Sequence, residues 1–269
     1  FYGYYMEDYF NMLKKYIEFK IIKCKSSSPL DILKDNNIII NNKLIKEHKL
    51  IFVTCSPFFL KWCDDSYNNI YYFNLEQLSI GAYRGIINKI PRFVKIIDYS
   101  PSNIVYIKQM GGFKYQSIEY RYNEDEILNI EKDKNVAFVG YVKNPNTKKR
   151  LVILNNLKKN NIPVTRIKAW GRARDKELFR HKILLNIGIT YNYKIFESIR
   201  CYRCIFNKMI VISDKKNYSE LLKYKKHILF VEDDDYVKTI NDVLNNYDYY
   251  YKLLQLDNID IDYSPIKLI

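Results

Sequence analysis

Residues 135–144 read NVAFVGYVKN, residues 146–171 read NTKKRLVILNNLKKNNIPVTRIKAWG, residues 181–188 read HKILLNIG, and residues 193–214 read YKIFESIRCYRCIFNKMIVISD. Short apolar runs alternate there with polar, helix-patterned segments in a β-α-β-α-β order, which predicts a parallel sheet with crossover helices. One helix start carries three consecutive cations, Lys148, Lys149 and Arg150, and a later one opens on Glu197 with Arg200 three residues on. That layout suits a phosphorylated ligand at the mouth of a doubly wound sheet.

Working outward, the strands of this half are expected at Val136–Gly140, Val164–Ala169, Ile183–Ile187, Met209–Ile212 and Ile228–Val231, with a helical tail through Tyr247 to Leu254. Upstream, Phe1 to Glu18 reads as an amphipathic helix, Phe19 to Cys24 as strand-like, and SPLDILK as a short helix. Leu50 to Cys55, Ile70 to Phe73, Val94 to Ile97 and Tyr115 to Tyr120 read as strands. Helices are predicted to start at Ser56-Pro57, Asn74 and Ser100-Pro101, the last ending at Gly111-Gly112. The acidic stretch Asn123 to Lys134 looks flexible and marks the boundary. Two α/β domains are therefore expected, residues 1–125 and 126–269, each Rossmann-like with a parallel sheet and with a cleft between them.

The 269 residues carry a formal charge of +14, and they are 48% hydrophobic and 16% aromatic. The apolar content places the chain among globular proteins. Its cations are spread along the sequence, and Lys, Asn, Ile and Tyr are abundant together, so a solvated basic surface accounts for the charge better than a nucleic-acid partner does. No apolar run approaches the ~18–20 residues of a membrane span and no signal-peptide pattern opens the chain. A cytoplasmic setting is expected, host cytoplasm or virion if the protein is viral, with peripheral membrane contact left open. The five cysteines fit a reducing compartment. Cys201 and Cys204 form a CxxC without a second pair at zinc spacing, so buried thiols are expected.

Ligands of open α/β sheets lie beyond the carboxyl ends of strands. This rule selects Gly140, Tyr141, Lys149, Arg150, Gly171, Arg172, Asn186, Glu197 and Ser213 in the second half, and Glu76 and Asp98 in the first. Each has an ordinary reading too: tight turns for the glycines, a solvated helix face for Lys148 to Arg150, an i,i+3 pair for Glu197 and Arg200, helix capping for Asp98 and a first-turn carboxylate for Glu76. Neither GxGxxG nor a P-loop is present. None of His48, His181 and His227 has a partner that makes a triad.

The FVGY strand end with Lys149-Arg150 downstream, KILLNI with Asn186, FESIR and VISD together resemble the C-terminal, donor-binding domain of the two-Rossmann (GT-B) glycosyltransferases. They are most similar to a group common in giant viruses and bacteria. FNLEQ (Phe73 to Gln77) and DYSPSN (Asp98 to Asn103) resemble that group's first half, so the likeness covers about two-thirds of the chain.

The resemblance implies transfer of a sugar from a UDP-, GDP- or dTDP-sugar to a hydroxyl of a glycan or glycoprotein, without a metal. It implies that Glu197 grips the ribose hydroxyls, that Lys149, Arg150, Arg172 and more weakly Arg200 face the diphosphate, and that Asp98 or Glu76 supplies an acceptor-side base. Asp233-Asp234-Asp235 formally contains a DxD but is expected to cap the following helix. Two departures stand out. Ile189 occupies the position, eight residues before Glu197, where many retaining members carry a second glutamate, and Tyr141 replaces a common cation. A catalytically inactive glycan- or protein-binding relative is the competing reading, and a nucleic-acid-binding protein a weaker one.

Overall fold

The computed structural model describes residues 5–16, 50–53, 69–142, 147–191, 193–215 and 222–269. The strand at Phe19 to Cys24, the SPLDILK helix, the helix at Ser56-Pro57, Asn146, His48, Cys24, Cys55 and Cys63 lie outside the described residues.

In chain order the elements are α1 (Tyr5–Tyr16), β1 (Leu50–Val53), β2 (Ile70–Asn74), α2 (Gly81–Ile87), β3 (Lys95–Asp98), α3 (Pro101–Met110), β4 (Tyr115–Ser117), β5 (Lys134–Val139), α4 (Lys148–Lys159), β6 (Val164–Ile167), α5 (Gly171–Leu178), β7 (His181–Asn186), α6 (Ser198–Phe206), β8 (Ile210–Asp214), β9 (Ile228–Val231), α7 (Tyr236–Asn245) and α8 (Tyr247–Leu253). Two sheets result, β1-β2-β3-β4 and β6-β5-β7-β8-β9, and every pairing in both is parallel. The expected α/β architecture with parallel sheets is present, and the strand order reverses, as in a doubly wound sheet, in the second sheet.

The physical reason is visible strand by strand. In β7 and β8 the runs Ile183-Leu184-Leu185 and Ile210-Val211-Ile212 are fully buried, because crossover helices cover both faces of a parallel sheet. In the first sheet Ile70, Tyr72 and Ile96 pack with Ile87 of α2 and Ile107 of α3 in one apolar cluster. Turn chemistry sets the edges of α3: the Ser100 hydroxyl accepts from the Ser102 amide, Pro101 takes the first turn, and Gly111 ends the helix at φ +69°. Asn74, by contrast, does not cap a helix. α2 starts at Gly81, and the Asn74 side chain clasps the Glu76 loop instead, with Glu76 N donating to its Oδ1 at 3.2 Å and its Nδ2 donating to Glu76 O at 2.9 Å.

The chain divides into two compact units. One holds the described part of Phe1–Tyr16 with Tyr120–Ser264, the other the described part of Ile17–Glu119 with Pro265–Ile269. Where the sequence places residues 1–125 together, α1 groups with the later sheet and the last residues with the earlier one. Lys95 Nζ donates to Ile269 O at 2.9 Å, and Gln116 Nε2 to Lys267 O at 2.8 Å.

The reason for the position of α1 is a buried cluster of charges. Arg203 of α6 reaches Asp8 of α1 at 3.1 Å, Asp175 of α5 at 2.7 Å and Glu126 at 2.8 Å, and Arg174 reaches Asp8 at 2.8 Å and Asp175 at 2.6 Å. Three carboxyls face two guanidiniums. Burial raises the Glu126 carboxyl to about 7 against the pull of Arg203, and raises Asp8 as well.

The stretch from Asn123 to Lys134, which reads as flexible, is thereby fastened. Glu124–Glu126 form a 3-10 turn capped by the Asn123 side chain. Asn207 accepts from Leu128 N at 3.0 Å and donates to Glu126 O at 3.0 Å, and Lys132 Nζ donates to Phe179 O at 2.5 Å.

Candidate functional site

The order β6-β5-β7-β8-β9 reverses direction between β5 and β7. The carboxyl ends of these two strands, at Val139 and Asn186, flank the crevice that such a reversal opens. Arg150 lies beneath it. Its Nε donates to Ile187 O at 2.7 Å and its Nη1 to Tyr141 O at 3.0 Å, tying the two strand ends together. Burial, then the neighbouring Arg200, pulls its pKa down to about 10. Gly140 is glycine for this reason: a Cβ there would lie 2.9 Å from the Phe138 ring and 3.1 Å from Arg150 Nη1. Gly171 has a different reason, the left-handed φ of +57° on which α5 begins.

Lys149 also points inward. It is buried and paired with Asp214 at 2.8 Å and Asp233 at 2.7 Å; burial works against its charge, but the two carboxylates overcome it and raise its pKa. Lys149 and Arg150, expected to face an anion directly, thus have their charge or their donors committed to the protein. Asp233 is correspondingly an ion-pair partner rather than a cap, and Asp235, at the N-cap of α7, makes no side-chain cap hydrogen bond.

The carboxyl end of β7 and the N-terminus of α6 carry a looser chain of polar groups. Asn186 Nδ2 donates to Ser213 Oγ at 3.0 Å, Arg200 Nη1 donates to Asn186 Oδ1 at 3.2 Å, and Arg200 Nη2 stands 3.7 Å from Glu197 Oε2. Glu197 is the N-cap residue of α6, and its side chain makes no cap hydrogen bond. Arg200 and Glu197 retain 21% and 35% of their side-chain exposure, whereas Lys149 keeps 3%. Beside them, the Ser198 hydroxyl is buried and lacks a partner among the described residues. Ser198 is not among the residues selected from the sequence, although its place as the first residue of a predicted helix was the available signal. The helix start adds its own positive end to this group. Tyr141 and Arg172 are exposed at the ends of the neighbouring strands, as is Trp170.

In the first sheet Asp98 is wholly buried. It accepts from Asn74 Nδ2 at 2.6 Å, Ser100 N at 2.8 Å and Asn103 Nδ2 at 2.9 Å, and burial outweighs these donors to raise its pKa to about 7. These three donors take up the Asp98 oxygens, so in the structure Asp98 holds its neighbours in place. Asn74 and Asn103, which it holds, both donate to Glu76 O at 2.9 Å, and Glu76 itself is half-buried. Cys201 and Cys204 are free and buried as expected, and burial raises the Cys204 thiol to about 12.

No protein-family model matches the chain. It is 33% identical over 210 residues to the uncharacterized protein L140 of Acanthamoeba polyphaga mimivirus, covering 74% of this chain and 66% of that protein. It is 30% identical over 204 residues to the uncharacterized protein R358 of the same virus, covering 74% and 69%. Two further mimivirus relatives are much longer, and the chain spans 24% and 28% of them.

Among solved structures it is similar to TarM (TM-score 0.50, 16% identity, 76% of this chain and 49% of that one) and to Anabaena HepE in complex with UDP (TM-score 0.50, 9% identity, 80% and 74%). The fold is that of the GT-B glycosyltransferases. Among the described residues no helix is long and apolar enough to cross a membrane.

Proposed function

We propose, from the premise that the chain belongs to the R358 family of giant-virus proteins and has the GT-B fold, that it is a glycosyltransferase using a nucleoside-diphosphate sugar. The observation that carries this reading is the N-terminus of α6, where Glu197, Arg200 and the unpartnered Ser198 hydroxyl stand at the carboxyl end of β7. Glu197 would accept from the two ribose hydroxyls, since one carboxylate offers acceptors to both. Arg200, braced on Asn186, would orient Glu197 and bring positive charge towards the diphosphate, together with the helix start and Arg172. Arg150 and Gly140 would keep the crevice in shape from below.

In the reaction, the bond between the sugar's anomeric carbon and the diphosphate oxygen breaks as the acceptor oxygen bonds to that carbon. The acceptor's proton passes to a base, and the nucleoside diphosphate leaves with the electron pair. Glu76 is the proposed base and Asp98 its positioning residue, acting through Asn74 and Asn103. The acceptor is a hydroxyl of a glycan or glycoprotein.

UDP is the first nucleotide to test, because the structurally similar HepE was crystallised with it. Present at about 100 times its dissociation constant, it should stabilise the fold by about 2.7 kcal/mol; GDP and dTDP provide the comparison. A melting temperature unmoved by all three would end the donor-site reading.

An inactive, nucleotide-binding relative is the second reading, favoured by Ile189 in place of a second glutamate and by the sealed carboxyl of Asp98. A UDP-induced shift without release of UDP from UDP-sugars in the presence of acceptor glycans would decide for it.

A further inference from the structure

We infer that the edge of the second sheet along β6 is a docking surface for an acidic glycan chain. Residues 151–176 contain one acidic residue, Asp175, and it is buried against Arg174 and Arg203. The exposed charges of this stretch are therefore all positive: Lys158, Lys159, Arg166, Lys168, Arg172 and Lys176. None of the six is ion-paired among the described residues, in contrast to Lys149, Arg174 and Arg203. A field of one sign with no internal neutralisation attracts polyanions.

The backbone strings three of these charges, Arg166, Lys168 and Arg172, along β6 and its exit. β6 pairs with β5 alone among the described residues, which makes it an edge strand, and both Thr165 and Arg166 in its middle are exposed. Arg166, Lys168, Trp170 and Arg172 are alternate residues. β6 ends at Ile167, and the chain is extended again at Trp170, with φ −127° and ψ 159°; alternate residues of extended chain stand roughly 6–7 Å apart. Trp170 is 56% exposed within this line, a large indole face among cations.

The line runs towards the carboxyl end of the sheet, where α5 begins, one strand over from the crevice between β5 and β7. A chain lying on it is thus led to the donor position, and for this step the inference rests on the proposed glycosyltransferase function. The charge specifies acidic groups on the ligand, and the single indole suits the face of one sugar ring. Non-specific binding of a single-stranded nucleic acid uses successive aromatic platforms, and this line has one.

The test measures binding of a labelled sulfated oligosaccharide, of a neutral dextran of equal length, and of single-stranded RNA of equal charge. The wild-type chain is expected to bind the sulfated sugar in preference to both others, with a salt-dependent affinity. Arg166→Glu with Lys168→Glu should weaken that binding by at least about tenfold, Trp170→Ala should weaken it severalfold, and the exposed pair Lys238→Glu with Lys252→Glu, an equal charge change elsewhere, should alter it little. All variants are at exposed positions, and their UDP-induced thermal shifts report folding and the donor site separately.

Equal loss in the control pair would overturn the inference, as would tighter binding of RNA through Arg166 and Lys168, or no binding of the sulfated sugar by a protein that still responds to UDP. Absence of the UDP shift would count against the proposed function and leave the glycan measurement to be judged by itself.

Discussion

Arg200 and Arg203 lie one turn apart on α6, yet they live in opposite circumstances. Arg203 keeps 4% of its side-chain exposure and meets three carboxyls within 3.1 Å. Arg200 keeps 21%, with one carboxamide at 3.2 Å and one carboxylate at 3.7 Å. The first is saturated and fastens four segments of the chain together. The second retains hydrogen-bonding capacity at a helix start, and that spare capacity, rather than charge itself, is what the proposed donor site would use. Lys149 and Arg150 teach the same lesson from the other side, since cations placed by the sequence at a helix start can be consumed by the protein's own oxygens.

The largest effect expected from this contrast is in stability. Arg203→Met leaves three buried carboxyls with one guanidinium, and should cost about 3–5 kcal/mol in urea unfolding. A loss below about 1 kcal/mol would put Arg203 in the same class as Arg200. Next, Arg200→Ala and Glu197→Ala should each raise the Kd for UDP by at least about tenfold while changing stability by less than about 1 kcal/mol. Isothermal titration and urea melts on the same samples separate the two quantities, and unchanged UDP affinity in Glu197→Ala would remove it from the ribose role.

Both regions could be placed on a helix from the sequence, but only one was legible as chemistry. The Glu197-Arg200 pair is local, three residues apart, and the strand that ends at Asn186 announces itself by an apolar run. The contacts of Arg203 join residues 28 to 195 positions away, and nothing in a local window specifies which distant carboxyl a buried arginine will meet. The acidic look of Asn123 to Lys134 therefore suggested a loose linker where the fold makes an anchor. Glycines and prolines were the readable punctuation: Ser100-Pro101 and Gly111 place α3 well, because φ restrictions act within a residue or two. The inward turn of Lys149 was unreadable for the opposite reason, since it depends on Asp214 and Asp233, two and three crossovers further on.

A smaller effect concerns pH. Glu126 and Asp98 have folded-state values of about 7, raised above their ordinary ones mainly by burial. For a carboxyl raised in this way the folded state holds the extra proton between roughly pH 4 and 7, so stability falls as pH rises through that window. Glu126→Gln should remove its own part of that slope and leave the part due to Asp98, which denaturant melts at several pH values would resolve. An unaltered slope would show that Glu126 is ionised in the folded protein throughout.

The smallest expected change is Ser198→Ala. Deleting an unpartnered buried hydroxyl should leave stability within about 0.5 kcal/mol of wild type or improve it slightly, while weakening UDP binding a few-fold. Wild-type UDP affinity in this variant would mean that the hydroxyl does not touch the nucleotide, and the site would shrink to Glu197 and Arg200.

The place of α1 has a consequence for how the protein is made. Asp8 leaves the ribosome well before its partner Arg203, which follows 195 residues later. At about 5–20 residues per second the interval is roughly 10–40 s. Through that time Asp8 lacks Arg203, although Arg174 and, for Lys15 of the same helix, Glu124 emerge sooner, and the second sheet cannot close its charge cluster until the early segment returns to it. Folding of the unit that carries the proposed donor site is therefore bound to the retention of a piece synthesised before the other sheet existed.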